Sequence, residues 1–323
     1  MKILIELPTW LGDCVMTTPA IENIANYYNN PKITIIGSLA SVEVLKNHPK
    51  VVRTDVLKKT YLSLYKTAKD LGEFDVFFSF RSSFRSRLFK FFILSNNKYQ
   101  FKNKYRNCHQ VEKYNNFIND SLNANFLADK LNICLISKKN KSIVVENFHT
   151  EELGIKDSKP TLGLNPGATY GSAKRWYPQQ FAKVAAELSN KYNILIFGGP
   201  DEIDIANDIE QYLIEMGVTN YQNLAGRTML DEFMEYISHL NLFITGDSGP
   251  MHVAASLQVP TVAIFGPTDD KETSQWMNKK SIVIKKDLDC QPCMKRTCPL
   301  GHHNCMKLIE ATDVLNAVNS FKR

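Results

Sequence analysis

The segment Thr245-Gly246-Asp247-Ser248-Gly249-Pro250-Met251-His252 constrains this chain more than any other. It follows the apolar run Leu242-Phe243-Ile244, and a second apolar run, Val262-Ala263-Ile264-Phe265, comes after it and ends in Gly266-Pro267-Thr268. A strand, a tight glycine turn, a helix opening on Pro250 and a second strand make one unit of a parallel α/β sheet. Such a turn presents free backbone N–H groups and the positive end of a helix to a ligand above the sheet, which suits a phosphate. Asp247, Ser248 and His252 add side-chain polarity at the same place. The segment reads as a nucleotide site.

The pattern recurs. Runs at 3–7, 33–37 and 76–80, and again at 162–165, 194–198, 242–245, 262–265 and 282–284, read as strands. Helical patterns fall at 180–191, 202–216, 231–239 and 313–321, and Thr18 with Pro19 reads as a helix start with Thr18 as its cap. A lysine-rich stretch at 137–142 and a polar one at 146–159 separate the two series. A chain of 323 residues exceeds the usual single domain. Two doubly wound parallel-sheet domains, 1–152 and 153–323, are expected, with the last helix able to fold back on either. Ligands of such sheets sit at the carboxyl ends of the strands.

No apolar stretch reaches the roughly 18 residues that span a bilayer. Met1-Lys2-Ile3-Leu4-Ile5-Glu6-Leu7-Pro8 reads as a first strand, not an export leader. Seven cysteines without such a leader favour reduced thiols and a cytoplasmic protein. The net charge of +6 is concentrated. Between Val76 and Val111 there is no acid, while Arg81, Arg85, Arg87, Lys90, Lys98, Lys102, Lys104 and Arg106 alternate with phenylalanines and tyrosines. A solvated helix face over an aromatic core would account for this. The absence of acids favours an anionic ligand or membrane surface.

Three more loops end strands. Pro8-Thr9-Trp10-Leu11-Gly12-Asp13-Cys14 places Asp13 after a glycine, where it faces a ligand or caps a helix. Asn165-Pro166-Gly167-Ala168-Thr169-Tyr170-Gly171-Ser172-Ala173-Lys174-Arg175-Trp176 joins small residues to two adjacent cations before a helix, a cradle for a diphosphate. It lacks the Gly-Lys-Ser/Thr ending of a P-loop. In Gly198-Gly199-Pro200-Asp201-Glu202, one acid could accept hydrogen bonds from a ribose, or both could favour a helix N-terminus.

Together, Leu11-Gly12-Asp13 with Thr17-Thr18-Pro19-Ala20, the Asn-Pro-Gly-Ala loop leading to Lys174-Arg175-Trp176, and the Gly-Asp-Ser-Gly-Pro-Met-His segment resemble glycosyltransferase family 9, the ADP-heptose:lipopolysaccharide heptosyltransferases. The resemblance runs from residue 1 to about 310. Cys290-Gln291-Pro292-Cys293 with Arg296-Thr297-Cys298-Pro299-Leu300-Gly301-His302-His303-Asn304-Cys305-Met306 is similar to the heptosyltransferase II branch.

The resemblance implies a GT-B architecture, two Rossmann-like domains facing across a cleft, with ADP-heptose held by the C-terminal one. It implies inverting transfer of heptose to the first heptose of the lipopolysaccharide inner core, or alternatively addition of the first or third heptose, at the cytoplasmic face of the inner membrane. No cofactor or divalent ion is then needed, and no nucleic acid partner. Asp13 matches the proposed base. Lys174 and Arg175, with Thr169 and the Ser248-Gly249 backbone, would neutralise the diphosphate, and Asp247 and His252 match positions around the donor. Asp201 or Glu202 would meet the ribose, and Met229 and Leu230 the adenine. Arg81 and Arg85 would meet acidic groups of the acceptor. Tyr170 stands where the first heptosyltransferase has a second threonine, and its role is open between covering the nucleotide and reaching the acceptor.

The cysteines at 290, 293, 298 and 305 (spacing Cys-x2-Cys-x4-Cys-x6-Cys) could hold a structural zinc or stand as buried reduced thiols. Two other function classes fit part of the pattern. A nucleotide-sugar epimerase or different GT-B transferase would keep the phosphate loops. A nucleic-acid-binding protein would use the basic, aromatic block but has no need of Asp13.

Overall fold

A computed structural model describes residues 1–58, 60–135 and 159–321. The stretches at 137–142 and 146–158, and the expected boundary at 152/153, lie outside these residues. The chain divides into two compact units, residues 1–136 and 137–323. Among the described residues no helix is long and apolar enough to cross a membrane.

In the first unit, strands β1 (Lys2–Glu6), β2 (Lys32–Gly37), β3 (Val51–Val56), β4 (Glu73–Ser79) and β5 (Leu94–Gln100) form one sheet in the order β3-β2-β1-β4-β5, every pair parallel. Ile3, Leu4 and Ile5 of β1 are fully buried, as expected for a central strand covered by helices on both faces. The edge strands differ: β3 is largely exposed and β5 reads Leu-Ser-Asn-Asn-Lys-Tyr-Gln.

In the second unit, β6 (Thr161–Asn165), β7 (Asn193–Ile196), β8 (Tyr221–Asn223), β9 (Leu242–Gly246), β10 (Thr261–Ile264) and β11 (Ser281–Ile284) are also all parallel, in the order β11-β10-β9-β6-β7-β8. Counted from β6, this is the 3-2-1-4-5-6 order of a dinucleotide-binding sheet, and the first unit repeats it without the sixth strand. The strand order reverses direction between β1 and β4 and between β6 and β9. At such points the connecting helices leave to opposite sides, opening a crevice above the carboxyl ends of the strands.

Two expectations are corrected. The helix expected to start at Thr18 does run from Thr18 to Tyr27, but its cap is Thr17. A separate short helix, Leu11–Met16, precedes it, so Asp13 lies in a first helical turn and not in a loop. The last helix, Ala311–Ser320, packs within the second unit. Val314 and Val318 join the core formed by Trp176, Phe181 and Ile264, and the Ala311 N–H donates to Gln180 Oε1 at 2.9 Å.

Candidate active site

Every residue singled out for chemistry sits at a carboxyl strand end, and most sit at the two reversal points. In the first unit β1 runs through Glu6 into the turn before Leu11–Met16. Asp13, partly buried in that helix, accepts a hydrogen bond from the Tyr114 hydroxyl at 3.0 Å. Burial, then the charge of Asp13, push the Tyr114 phenol well above its ordinary value. It therefore stays protonated and orients the carboxylate. Tyr114 lies 101 residues away on the helix Gln110–Leu122, beyond the reach of any local pattern.

Arg81 follows β4, and Arg85 lies in the first turn of the helix Phe84–Phe92, whose N-terminus is capped by Ser83. Beneath them is a residue that sequence reasoning missed. Glu6 is fully buried, accepts a hydrogen bond from Ser79 Oγ at 2.6 Å and another from Ser86, and lies 3.8 Å from Arg81 Nη1. In the sequence it stands only as one residue of the strand run at 3–7. Burial, then the like charge of Arg81, lower the pKa of Arg85, whose guanidinium donates to the Lys58 carbonyl.

Burial raises the pKa of Glu6, against the Ser79 and Ser86 hydrogen bonds and the charge of Arg81. The folded protein thus holds this proton more tightly than the unfolded chain. The stability it contributes is complete below the unfolded value and is lost as pH rises through the folded one. Glu6→Gln titrates nothing at this position. Its melting temperature relative to the parent should therefore rise as pH increases above the ordinary carboxylate value of about 4.5. A gap that shrinks over that range in thermal melts would contradict the burial argument.

In the second unit, the loop after β6 and the turn after β9 converge. Lys174 Nζ donates to Asp247 Oδ2 at 2.6 Å and to the Asp247 carbonyl at 3.1 Å. Thr268, after β10, donates to the same Oδ2 at 2.6 Å. The Lys174 side chain is 12% exposed and that of Asp247 5%, so this is a nearly dry ion pair. Ser248 precedes the helix Gly249–Ser256 but makes no side-chain cap, which leaves the helix start available to an anion. His252 is buried one turn into that helix. Arg175 is partly buried, with no hydrogen-bond partner for Nε among the described residues, and Thr169 is exposed.

The structure separates the two candidate ribose acids. Asp201 is exposed, whereas Glu202 is buried and accepts from the Gly199 N–H at 2.8 Å. A Cβ on Gly167 would fall 2.0 Å from the Glu202 carboxyl carbon, so only glycine lets the two loops meet. Met229, 68% exposed, precedes the helix Leu230–Ser238, with Leu230 partly buried beside it.

The cysteine-rich segment folds back over the same loops. Tyr170 donates its hydroxyl to the Met294 carbonyl at 2.9 Å, and Lys174 Nζ and the Arg296 guanidinium carbon lie over its ring, 4.9 and 5.1 Å from the ring centre. The Arg296 carbonyl accepts from the Ala173 N–H at 3.0 Å and would be 2.3 Å from a Cβ on Gly171. Tyr170 thus ties the two segments together. The four thiols line one small cavity with His302 and Ala173. Among the described residues no group of three or more histidine, cysteine or acidic side chains is arranged to hold a metal ion. His303 is engaged at both ring nitrogens, Nε2 with the Ala173 carbonyl (2.9 Å) and Nδ1 with the Tyr177 hydroxyl (3.1 Å), and backbone N–H groups of the 300–303 turn bond to Cys298 and lower its pKa.

The sequence model of glycosyltransferase family 9 (heptosyltransferase) matches residues 70–304. A lipooligosaccharide heptosyltransferase 2 of Campylobacter jejuni is 40% identical over 321 residues, covering 98% of this chain and 96% of that protein. The lipopolysaccharide heptosyltransferase 2 of Escherichia coli K12 is 26% identical, covering 99% and 98%. The solved structure of E. coli ADP-heptose lps heptosyltransferase II has the same fold, with a TM-score of 0.81 and 23% identity over 99% of this chain and 98% of that one. Two parallel α/β sheets carrying strand-end clusters, and relatedness along their whole length, lead to one assignment: the chain belongs to glycosyltransferase family 9.

Proposed function

We propose that this protein transfers heptose from ADP-heptose to the first heptose of the lipopolysaccharide inner core. The observation that carries the reading is the buried Lys174–Asp247–Thr268 cluster beside an uncapped helix N-terminus, which sets an ammonium and free backbone N–H groups side by side for a donor diphosphate. Asp13 accepts the proton of the acceptor hydroxyl as that oxygen bonds to the anomeric carbon, and the carbon–oxygen bond to ADP breaks with inversion. Lys174, with Arg175, Thr169 and the Gly249 N–H, neutralises the charge gathering on the leaving diphosphate, so no divalent ion is required. Glu202 meets the ribose, Met229 and Leu230 the adenine, and His252 lies by the donor. Arg81 and Arg85, held over Glu6, bind the acidic groups of the acceptor at the cytoplasmic face of the inner membrane.

The names of the relatives support the second heptose addition. ADP-heptose offered with acceptor bearing one heptose should give a product heavier by one heptose, with EDTA present or absent. Acceptor lacking heptose should stay unchanged. Extension of the heptose-free acceptor alone, read by mass spectrometry, would assign the first addition instead.

A further inference from the structure

The transfer mechanism leaves a patch of the first unit unused. The connections β3→β4 and β4→β5 step the same way along the sheet, so right-handed crossovers put the helices Tyr61–Leu71 and Phe84–Phe92 on one side of it. Tyr65 and Phe92 meet edge to face there, with ring centres 5.6 Å apart. Both helices begin at the carboxyl edge of the sheet, the edge that carries Arg81 and Arg85.

Their outward surface is unlike that of a helix facing only water. Leu62 is 84% exposed, Phe91 78% and Phe84 67%, and Tyr61 and Tyr65 are exposed as well. Single exposed apolar residues are ordinary, but a contiguous set marks an interaction surface. Phe84, Arg87 and Phe91 fall at i, i+3 and i+7, one stripe of their helix. Arg87 and Lys66 are exposed among them. The helix Phe84–Phe92 contains no acid, and Asp70 alone represents acids on Tyr61–Leu71. Burial and the like charges of Lys102 and Lys98 lower the pKa of Lys90, a sign of positive charge left uncompensated nearby.

Apolar side chains interleaved with cations match a partner with an anionic outer layer and an apolar interior. A nucleic acid would satisfy the cations but not Leu62 or Phe91. We propose that Tyr61, Leu62, Tyr65, Phe84, Arg87 and Phe91 form a docking surface for an anionic lipid bilayer. The apolar groups enter the headgroup boundary and the cations meet lipid phosphates. Docking by this side sets the arginine-bearing edge beside the membrane surface. The proposal stands independently of the transfer reaction, because partition to lipid needs neither donor nor acceptor.

Sedimentation of the full-length protein with lipid vesicles tests it. Binding to vesicles containing phosphatidylglycerol, weak binding to phosphatidylcholine alone, and release by salt are expected. Leu62→Ser/Phe84→Ser/Phe91→Ser should lower partition by at least about tenfold at unchanged melting temperature. Arg87→Glu/Lys66→Glu should lower it too and flatten the salt dependence, and this pair carries the test should the triple variant misfold. Both variants should still glycosylate a deacylated, water-soluble acceptor. Equal partition of parent and variants, or indifference of the parent to anionic lipid, would overturn the proposal. Displacement from vesicles by an oligonucleotide would mark the patch as a nucleic-acid surface and overturn it as well. Failure of the parent itself on the soluble acceptor would count against the transfer reading and leave the docking result standing.

Discussion

Asp13→Ala is expected to lower turnover by roughly 10²–10⁴-fold while leaving the ADP-heptose dissociation constant within about twofold of the parent. The reasoning starts from position. Asp13 belongs to the first unit, in the helix Leu11–Met16, and the residues assigned to the donor all belong to the second. A group that only accepts a proton in the transition state contributes to kcat and not to ground-state binding of the donor. The Tyr114 hydroxyl, 3.0 Å from Oδ1, holds the carboxylate in one orientation, and its raised pKa keeps it a donor across the working range. Isothermal titration with ADP-heptose, set beside single-turnover kinetics, separates the two effects. Equal losses in affinity and turnover would make Asp13 a donor-positioning residue instead.

Lys174→Ala should weaken ADP-heptose binding by about 10–100-fold, the value of a charge-assisted hydrogen bond to the diphosphate. It should also destabilise the fold. Its partner Asp247 is 5% exposed in the side chain, and losing the ammonium leaves that carboxylate buried beside the Thr268 hydroxyl without its counter-ion. Breaking such a pair from one side costs about 3 kcal/mol. The two consequences separate in a double variant. Lys174→Ala/Asp247→Asn removes the orphaned charge, so the melting temperature should recover most of its loss while donor affinity stays low. Recovery of both would mean that Lys174 acts only as the counter-ion of Asp247. Unchanged donor affinity in Lys174→Ala would remove it from the cradle altogether.

Much of the second unit was legible because its central strands are buried on both faces. Leu242-Phe243-Ile244 and Val262-Ala263-Ile264 read as continuous apolar runs for that reason. The strands that escaped notice, β3, β5 and β8, all lie at sheet edges or expose one side. Val-Val-Arg-Thr-Asp-Val and Leu-Ser-Asn-Asn-Lys-Tyr-Gln carry too little hydrophobic signal to stand out from loops. The helix around Asp13 was missed because six residues are too few to show a period. In the sequence Asp201 and Glu202 are equivalent, since adjacent acids before a helix look alike until one of them turns inward.

By itself the sequence determined the class of fold, two parallel α/β sheets, and the strand-end loops that carry chemistry, because backbone periodicity and turn residues act over a few positions. It also carried enough of the motif order to point to the family. The tertiary structure decided the pairings: Tyr114 with Asp13, Lys174 and Thr268 with Asp247, Glu202 against Gly167, Tyr170 against the cysteine-rich segment, and Glu6 under its arginines. Those contacts join residues far apart along the chain. Their energies depend on which side chains the fold withdraws from water together, and no local pattern records that.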